Sequence, residues 1–108
     1  MGGITEGSGS EIAFDIVFTP RIEKKLRKIR NPVIYKELDG IFKTLARDPY
    51  AGREMTGDLK GLRRIKAARR KYRVVYEIHE SAHDVLIVQV APRKDAYREL
   101  RRIWPPKR

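Results

Sequence analysis

The chain has 108 residues, 41% of them hydrophobic, and a formal net charge of +11 at pH 7, which predicts a single domain around one modest core. It contains no cysteine, so disulfides, thiolate metal sites and thiol catalysis are excluded. No apolar run approaches the length of a membrane span and nothing resembles a secretory signal, which predicts a cytoplasmic protein with no membrane association.

Met1 to Ser10 reads MGGITEGSGS, a Gly/Ser-rich stretch without periodicity, and residues 1–11 are expected to be a flexible leader outside the fold. Ile12 to Phe18 alternates, with Ile12, Phe14, Ile16 and Phe18 on one face, and predicts a strand. Thr19-Pro20 is an N-cap followed by proline at the first helical position. Ile22, Leu26 and Ile29 then recur at helical spacing inside a basic surround. Asn31-Pro32 repeats that punctuation, and a second helix sets Ile34, Leu38, Ile41, Phe42 and Leu45 on one stripe before Asp48-Pro49 stops it.

Residues 48–61 hold Pro49, Gly52, Gly57 and Gly61 and predict a loop. Three strands follow, at about Leu62–Ala68, Tyr72–His79 and Asp84–Ala91, joined by the turns Arg69-Arg70-Lys71 and Glu80–His83. Their lengths suit an antiparallel meander. A last helix runs from Arg93 to Ile103 and is stopped by Pro105-Pro106, and 105–108 is a short basic tail. The order β-α-α-β-β-β-α over residues 12–104 predicts a small single-domain α+β fold: a mostly antiparallel sheet with the two N-terminal helices packed on one face.

Charge is distributed unevenly along this order. Residues 1–58 carry 10 basic and 9 acidic side chains, whereas residues 59–108 carry 15 and 5. Between Leu59 and Tyr76 stand eight basic residues and no acid, interleaved with core formers, so the positive charge belongs to the fold and implies a polyanionic partner, RNA first. A period of two sorts this stretch. Ile65, Ala67, Val74, Tyr76 and Ile78 face the helices, while Arg64, Lys66 and Arg73 share the open face of the sheet. Ordinary surfaces mix charge signs across strands; here positive stands beside positive with Glu77 as the sole acid nearby. Lys60, Arg63, Arg69, Arg70, Lys71 and Lys94 are the further candidate RNA contacts. His79 and His83, at a strand end and a turn near the acidic Glu80 and Asp84, are expected to play surface-loop roles, and they show no ligand spacing for a metal. Trp104 is expected to cap the core.

These residues also carry a family resemblance. The pattern DP-x2-G-x4-G-x-L-x-G-L-x-R-I-K from Asp48 to Lys66, then YRVVYEI from Tyr72 to Ile78, then RKDAY from Arg93 to Tyr97, resembles the RelE/ParE toxins of toxin–antitoxin pairs. The resemblance covers about Ile12 to Ile103 and implies the same small α+β fold. In its RelE branch it implies a ribosome-dependent endoribonuclease that cuts mRNA in the ribosomal A site. In its ParE branch it implies a toxin without nuclease residues that inhibits DNA gyrase, and an inactive RNA- or ribosome-binding domain is a third alternative. Carried over residue by residue, the resemblance implies a catalytic set of Arg64, Lys66, Arg73, Arg93 and Tyr97. Pro92 stands where relatives often have histidine. The expected partners are a cognate antitoxin protein, the ribosome and mRNA, and no cofactor or metal is expected. Metal-independent RNA cleavage by 2′-hydroxyl attack needs a base, electrostatic support for the charged phosphorane and a proton for the leaving oxygen. Arg64 and Arg73 are candidates for the second task, Lys66 or Tyr97 for the first, and Arg93 for phosphate binding or the third.

Overall fold

A computed structural model describes residues 13–105. The expected leader, Ile12 and the last three residues of the basic tail lie outside the described residues. The elements in chain order are β1 (Asp15–Phe18), α1 (Pro20–Arg27), α2 (Pro32–Arg47), β2 (Arg53–Glu54), β3 (Arg63–Ala67), β4 (Tyr72–His79), β5 (Asp84–Pro92) and α3 (Arg93–Ile103). The sheet order is β1-β5-β4-β3-β2. β1 runs parallel to β5, and every other pair is antiparallel. The expected meander is therefore β3-β4-β5. The predicted loop at 48–61 holds one unexpected element, the two-residue strand β2, between single 3-10 turns at Pro49–Ala51 and Gly57–Leu59.

Local chemistry sets the helix starts. Thr19 Oγ1 accepts the Ile22 amide at 3.2 Å with Pro20 in the first turn. Asn31 Oδ1 accepts Val33 N at 2.9 Å and Ile34 N at 3.3 Å with Pro32 following. These caps satisfy amides that have no partner inside the helix. Ile22, Leu38, Phe42 and Leu45 then pack on Val74, Tyr76, Val85, Ile87 and Val90, with Ile65 and Ile78 at the margin. Both N-terminal helices therefore cover one sheet face.

The other face is not left open. α3 lays Leu100 and Tyr97 on Val75 and Val88, together with Leu59, Leu62 and Trp104. A register shift between Val75 and Tyr76 accompanies this second core. Trp104 packs at its rim, as its position predicted. β1 pairs with β5 only as far as Ile87, and side chains from both faces close the gap beyond it. Fully buried Gln89 accepts from Arg21 at 3.2 Å and Lys25 at 3.1 Å, and donates to Ala96 O at 2.9 Å. Lys25 also reaches Glu99 at 2.8 Å, and that contact is the main cause holding the Glu99 carboxyl below its ordinary range.

Two further contacts fix the ends of the sheet. Tyr76 is fully buried; its hydroxyl donates to Pro49 O at 2.7 Å and accepts from Gly52 N at 2.9 Å, and burial is the leading cause of its raised pKa. At the opposite end, the His79 ring bridges Glu77 at 2.7 Å and Asp84 at 2.8 Å, which raises its pKa, the Glu77 bond contributing most. His83 stacks on Phe14 with ring centroids 3.9 Å apart. Both histidines are half-buried parts of the scaffold.

Tyr76→Phe leaves a buried amide and a buried carbonyl without their partner and is expected to cost about 1–3 kcal/mol, measurable by urea unfolding. For His79 the folded pKa lies above its unfolded value of about 6.5. Its contribution is therefore fully present below the unfolded value and is lost as pH rises through the folded one. Thermal midpoints of the wild type should fall across that window more steeply than those of His79→Gln; parallel curves would remove the bridge as the cause.

Candidate nucleic-acid interface and active site

The register sets the cations side by side. Arg64 of β3 lies opposite Val75 of β4, and Lys66 lies opposite Arg73. Across the outer edge of β3, Arg53 of β2 lies opposite Arg64. Arg53, Arg64, Lys66 and Arg73 thus occupy the α3 face of the sheet, on the part reaching away from the apolar contact around Val75. Glu77, the acid on this face of β4, is drawn to the far end by His79.

The Arg53–Arg64 pair divides two grooves. One, of about 400 Å³, runs along the edge of β3 and is lined by Ala51, Gly52, Arg53, Arg64, Ile65 and Lys66. The other, of about 330 Å³, is lined by Arg53, Arg64, Tyr97 and Arg101, with Met55 and Leu59 among its walls. The Arg64 guanidinium carbon stands 5.9 Å from the centroid of the Tyr97 ring, within range of a cation–π contact. The first groove owes its shape to Gly52: a Cβ there would stand 2.5 Å from Tyr76 Oη and 2.6 Å from Arg64 O. Both neighbours are held, one by its hydrogen bonds and one by the sheet, so glycine alone fits.

Lys66 is exposed, and its pKa is lowered, first by Arg70, then by partial desolvation and by Arg73, Arg53 and Arg64. Every charged group acting on it is a cation. Its ammonium form is disfavoured for that reason.

The β3–β4 turn that supplies Arg70 has an unusual backbone. Ala68, Arg69 and Arg70 all have positive φ, at 51°, 56° and 73°. Left-handed geometry costs residues with a Cβ roughly 1–2 kcal/mol each, so the surroundings must hold the turn in place. Lys71 N donates to Ala68 O at 3.1 Å, and Arg93 N, from the start of α3, donates to Lys71 O at 2.8 Å. Arg73 Nη1 donates to Arg70 O at 2.6 Å and Tyr72 O at 3.1 Å.

The expected set is therefore only partly assembled as drawn from the sequence. Arg64, Lys66 and Arg73 share a face, and Tyr97 joins Arg64. Arg73, however, is only 7% exposed, because its side chain turns back beneath the turn, and the face is not open but half covered by α3. Arg93 opens α3 at the turn, beside Lys71. Arg69, Arg70, Lys71 and Lys94 are exposed around this end, and Lys60 is exposed in the loop before β3. Arg63 points the other way: opposite Tyr76 in register, it donates to Gly52 O at 2.7 Å and lies 4.9 Å over the Tyr50 ring, so it belongs to the scaffold under the loop. Sequence reasoning missed Arg53. A two-residue strand is too short to show alternation, and the only available signal was an Arg-Glu pair facing Arg63-Arg64 across a Gly-bounded loop.

Comparison with known proteins agrees with this architecture. The model of a family described as ParE-like toxins of type II bacterial toxin–antitoxin systems matches residues 16–101. The chain belongs to this family. The toxin is 29% identical over 86 residues to Toxin RelE of Mycobacterium tuberculosis, covering 79% of this chain and 87% of that one. The structure of the RelBE2 toxin–antitoxin complex from the same organism matches with a TM-score of 0.65 and 28% identity, over 78% of this chain and 95% of that chain. The isolated E. coli RelE toxin shares the fold, with a TM-score of 0.66 and 22% identity over 83% and 97%. Membership of the RelE/ParE superfamily and the α+β fold expected of it are thereby established. Among the described residues no helix is long and apolar enough to cross a membrane.

If Arg53 and Arg64 bind phosphates, Arg53→Gln and Arg64→Gln should each weaken binding of a short single-stranded RNA. Each should also reduce the slope of log affinity against log salt by about 0.7 per lost phosphate contact. Arg63→Gln should leave that slope unchanged. Fluorescence anisotropy across a salt series measures all three, and equal slopes for all variants would remove the β2–β3 pair from the interface.

Proposed function

We propose that this toxin is an endoribonuclease that acts with the ribosome, in the cytoplasm, to cleave mRNA in the A site by attack of a 2′-hydroxyl on the adjacent phosphate. The observation that carries this reading is the surround of Lys66: a lysine at the rim of a groove whose charged neighbours are all cations. Such a site attracts a phosphodiester and at the same time raises the share of the lysine that is unprotonated and able to accept a proton.

In this mechanism Lys66 takes the proton from the 2′-hydroxyl as the 2′-oxygen bonds to phosphorus. Arg64 and Arg53, paired across the strands, hold the non-bridging oxygens as negative charge builds on them, a role suited to the planar guanidinium fork. Tyr97 keeps the Arg64 guanidinium at its ring face. The bond from phosphorus to the 5′-oxygen breaks, and that oxygen takes up a proton, with Arg93 as the donor or phosphate ligand on the turn side. The products are a 2′,3′-cyclic phosphate and a 5′-hydroxyl. The ribosome supplies the in-line arrangement of the mRNA, since shallow grooves at the edge of β3 do not by themselves fix a flexible strand.

The antitoxin partner follows from the family, and the match to a toxin–antitoxin complex supports it. For this chain we propose an acidic or amphipathic antitoxin segment that covers the cationic face or α3 and so neutralises the charge that the substrate would otherwise relieve.

One observation favours a second reading, a ParE-like toxin that inhibits DNA gyrase without cutting RNA. The Arg73 guanidinium is engaged with backbone carbonyls, and Pro92, paired with Tyr72 at the end of β5, offers no titrating group. One experiment separates the two. Translating ribosomes carrying a defined mRNA are treated with the toxin, and the new 5′ ends are mapped. Cleavage in the A site with 5′-hydroxyl ends is expected, with single-turnover rates lowered by about 10²–10⁴ in Lys66→Ala and about 10²–10³ in Arg64→Ala. Naked RNA should be cut poorly. Intact mRNA together with inhibited gyrase supercoiling would replace the first reading by the second.

A further inference from the structure

Arg73 is the one arginine of the cationic face that is buried, at 7% exposure. A phosphate ligand should present its guanidinium to solvent, as Arg53 does. Instead Arg73 Nη1 donates to the carbonyls of Arg70 and Tyr72 at 2.6 and 3.1 Å. The first carbonyl belongs to the last of three consecutive residues with a Cβ that adopt left-handed geometry, Ala68 to Arg70, and the second lies two residues beyond it. On the opposite side the same segment is fastened by the Arg93 amide on Lys71 O. The turn is thus gripped from β4 and from α3 in addition to its own Lys71 N–Ala68 O bond, and it contains no glycine to ease its left-handed backbone.

We propose that Arg73 is a positioning residue: its guanidinium fastens the Ala68–Lys71 turn and so holds Arg70 beside Lys66, without itself touching the RNA. The proposal rests on the reading of Lys66 as the base. Arg73 lies opposite Lys66 in the sheet, so its stem already occupies the place from which the turn is reached. The groups acting on Lys66 come from every neighbouring element: Arg53 of β2, Arg64 of β3, Arg70 of the turn and Arg73 of β4. Arg70 has the largest influence and is the one whose position is not fixed by a strand. Removing its anchor should therefore weaken the strongest of these influences, in addition to the direct effect of the lost Arg73 charge.

A double-mutant cycle on the free protein tests this, with the Lys66 Nζ titration followed by NMR in the wild type, Arg70→Gln, Arg73→Met and the double variant. An upward shift of the Lys66 titration is expected in each single variant. The shift caused by Arg73→Met should be larger in the wild-type background than in the Arg70→Gln background, because two residues that act through one another are not additive. Equal shifts in the two backgrounds would overturn the proposal. Should Arg73→Met fail to fold, the wild type decides by its arginine side-chain resonances. A short oligoribonucleotide, 2′-deoxy at every position but one end to block cleavage, should move the Nε signal of Arg64 and leave that of Arg73 in place. Movement of both would make Arg73 a ligand. Neither measurement involves the ribosome or cleavage, so a failure to cut mRNA would reject the nuclease reading and leave this test intact.

Discussion

The structure depends on holding like charges together. Arg53, Arg64, Lys66, Arg70 and Arg73 crowd one corner of the sheet, and their mutual repulsion works against the compact state. Apolar burial on both sides of the same strands opposes it. Val74 and Tyr76 are fully buried under the N-terminal helices, and Val75, between them in sequence, is fully buried under α3. β4 is therefore a strand with two cores, and a single cationic corner is attached to it. Moving Arg73 away from its neighbours on β3 would require breaking both.

The remaining parts of the fold serve that corner at a distance. The Tyr76 hydroxyl reaches from the helix-side core to the Pro49–Gly52 loop and so fixes the wall of the groove and the strand carrying Arg53. Gln89, with Arg21 and Lys25 on one side and Ala96 on the other, ties α1 to α3 around the short first strand. The placement of Tyr97 on α3 rests in turn on that tie. Buried polar groups with every partner in place specify one arrangement more sharply than apolar contact does, and here each of them sits where the arrangement of the site depends on it.

Much of this was legible in the sequence because a strand has a period of two. Alternation alone separated Arg64, Lys66 and Arg73 from Ile65, Val74 and Tyr76, and the register confirms the division. The cap–proline steps at Thr19 and Asn31 marked the helix starts for the same local reason. What was not legible depends on distance or on side-chain reach. A two-residue strand carries no periodicity, so Arg53 went unseen. The alternation of β4 gives the face of Arg73 but not the bend that takes its guanidinium under the turn. Arg63 looked like one more cation in a basic run, yet a period of two places it opposite Tyr76, on the helix side. The docking of α3 on the cationic face follows from Leu100 meeting Val75 and Val88, a contact between distant parts of the chain that no local pattern announces.

The brevity of β2 has a consequence for how the molecule behaves in company. β2 pairs with β3 only through Arg53 and Glu54, so among the described residues the backbone of Ile65–Ala67 has no strand on its outer side. Unpaired edges invite other strands, and natural sheets commonly defend them with charge. Lys66 and Arg53 are that defence here. The charge proposed to draw in a polyanion is thus also what keeps one copy of the sheet from adding to another. A polyanion that neutralises this corner without covering the edge would remove the repulsion, linking the colloidal stability of the toxin to the occupancy of its site.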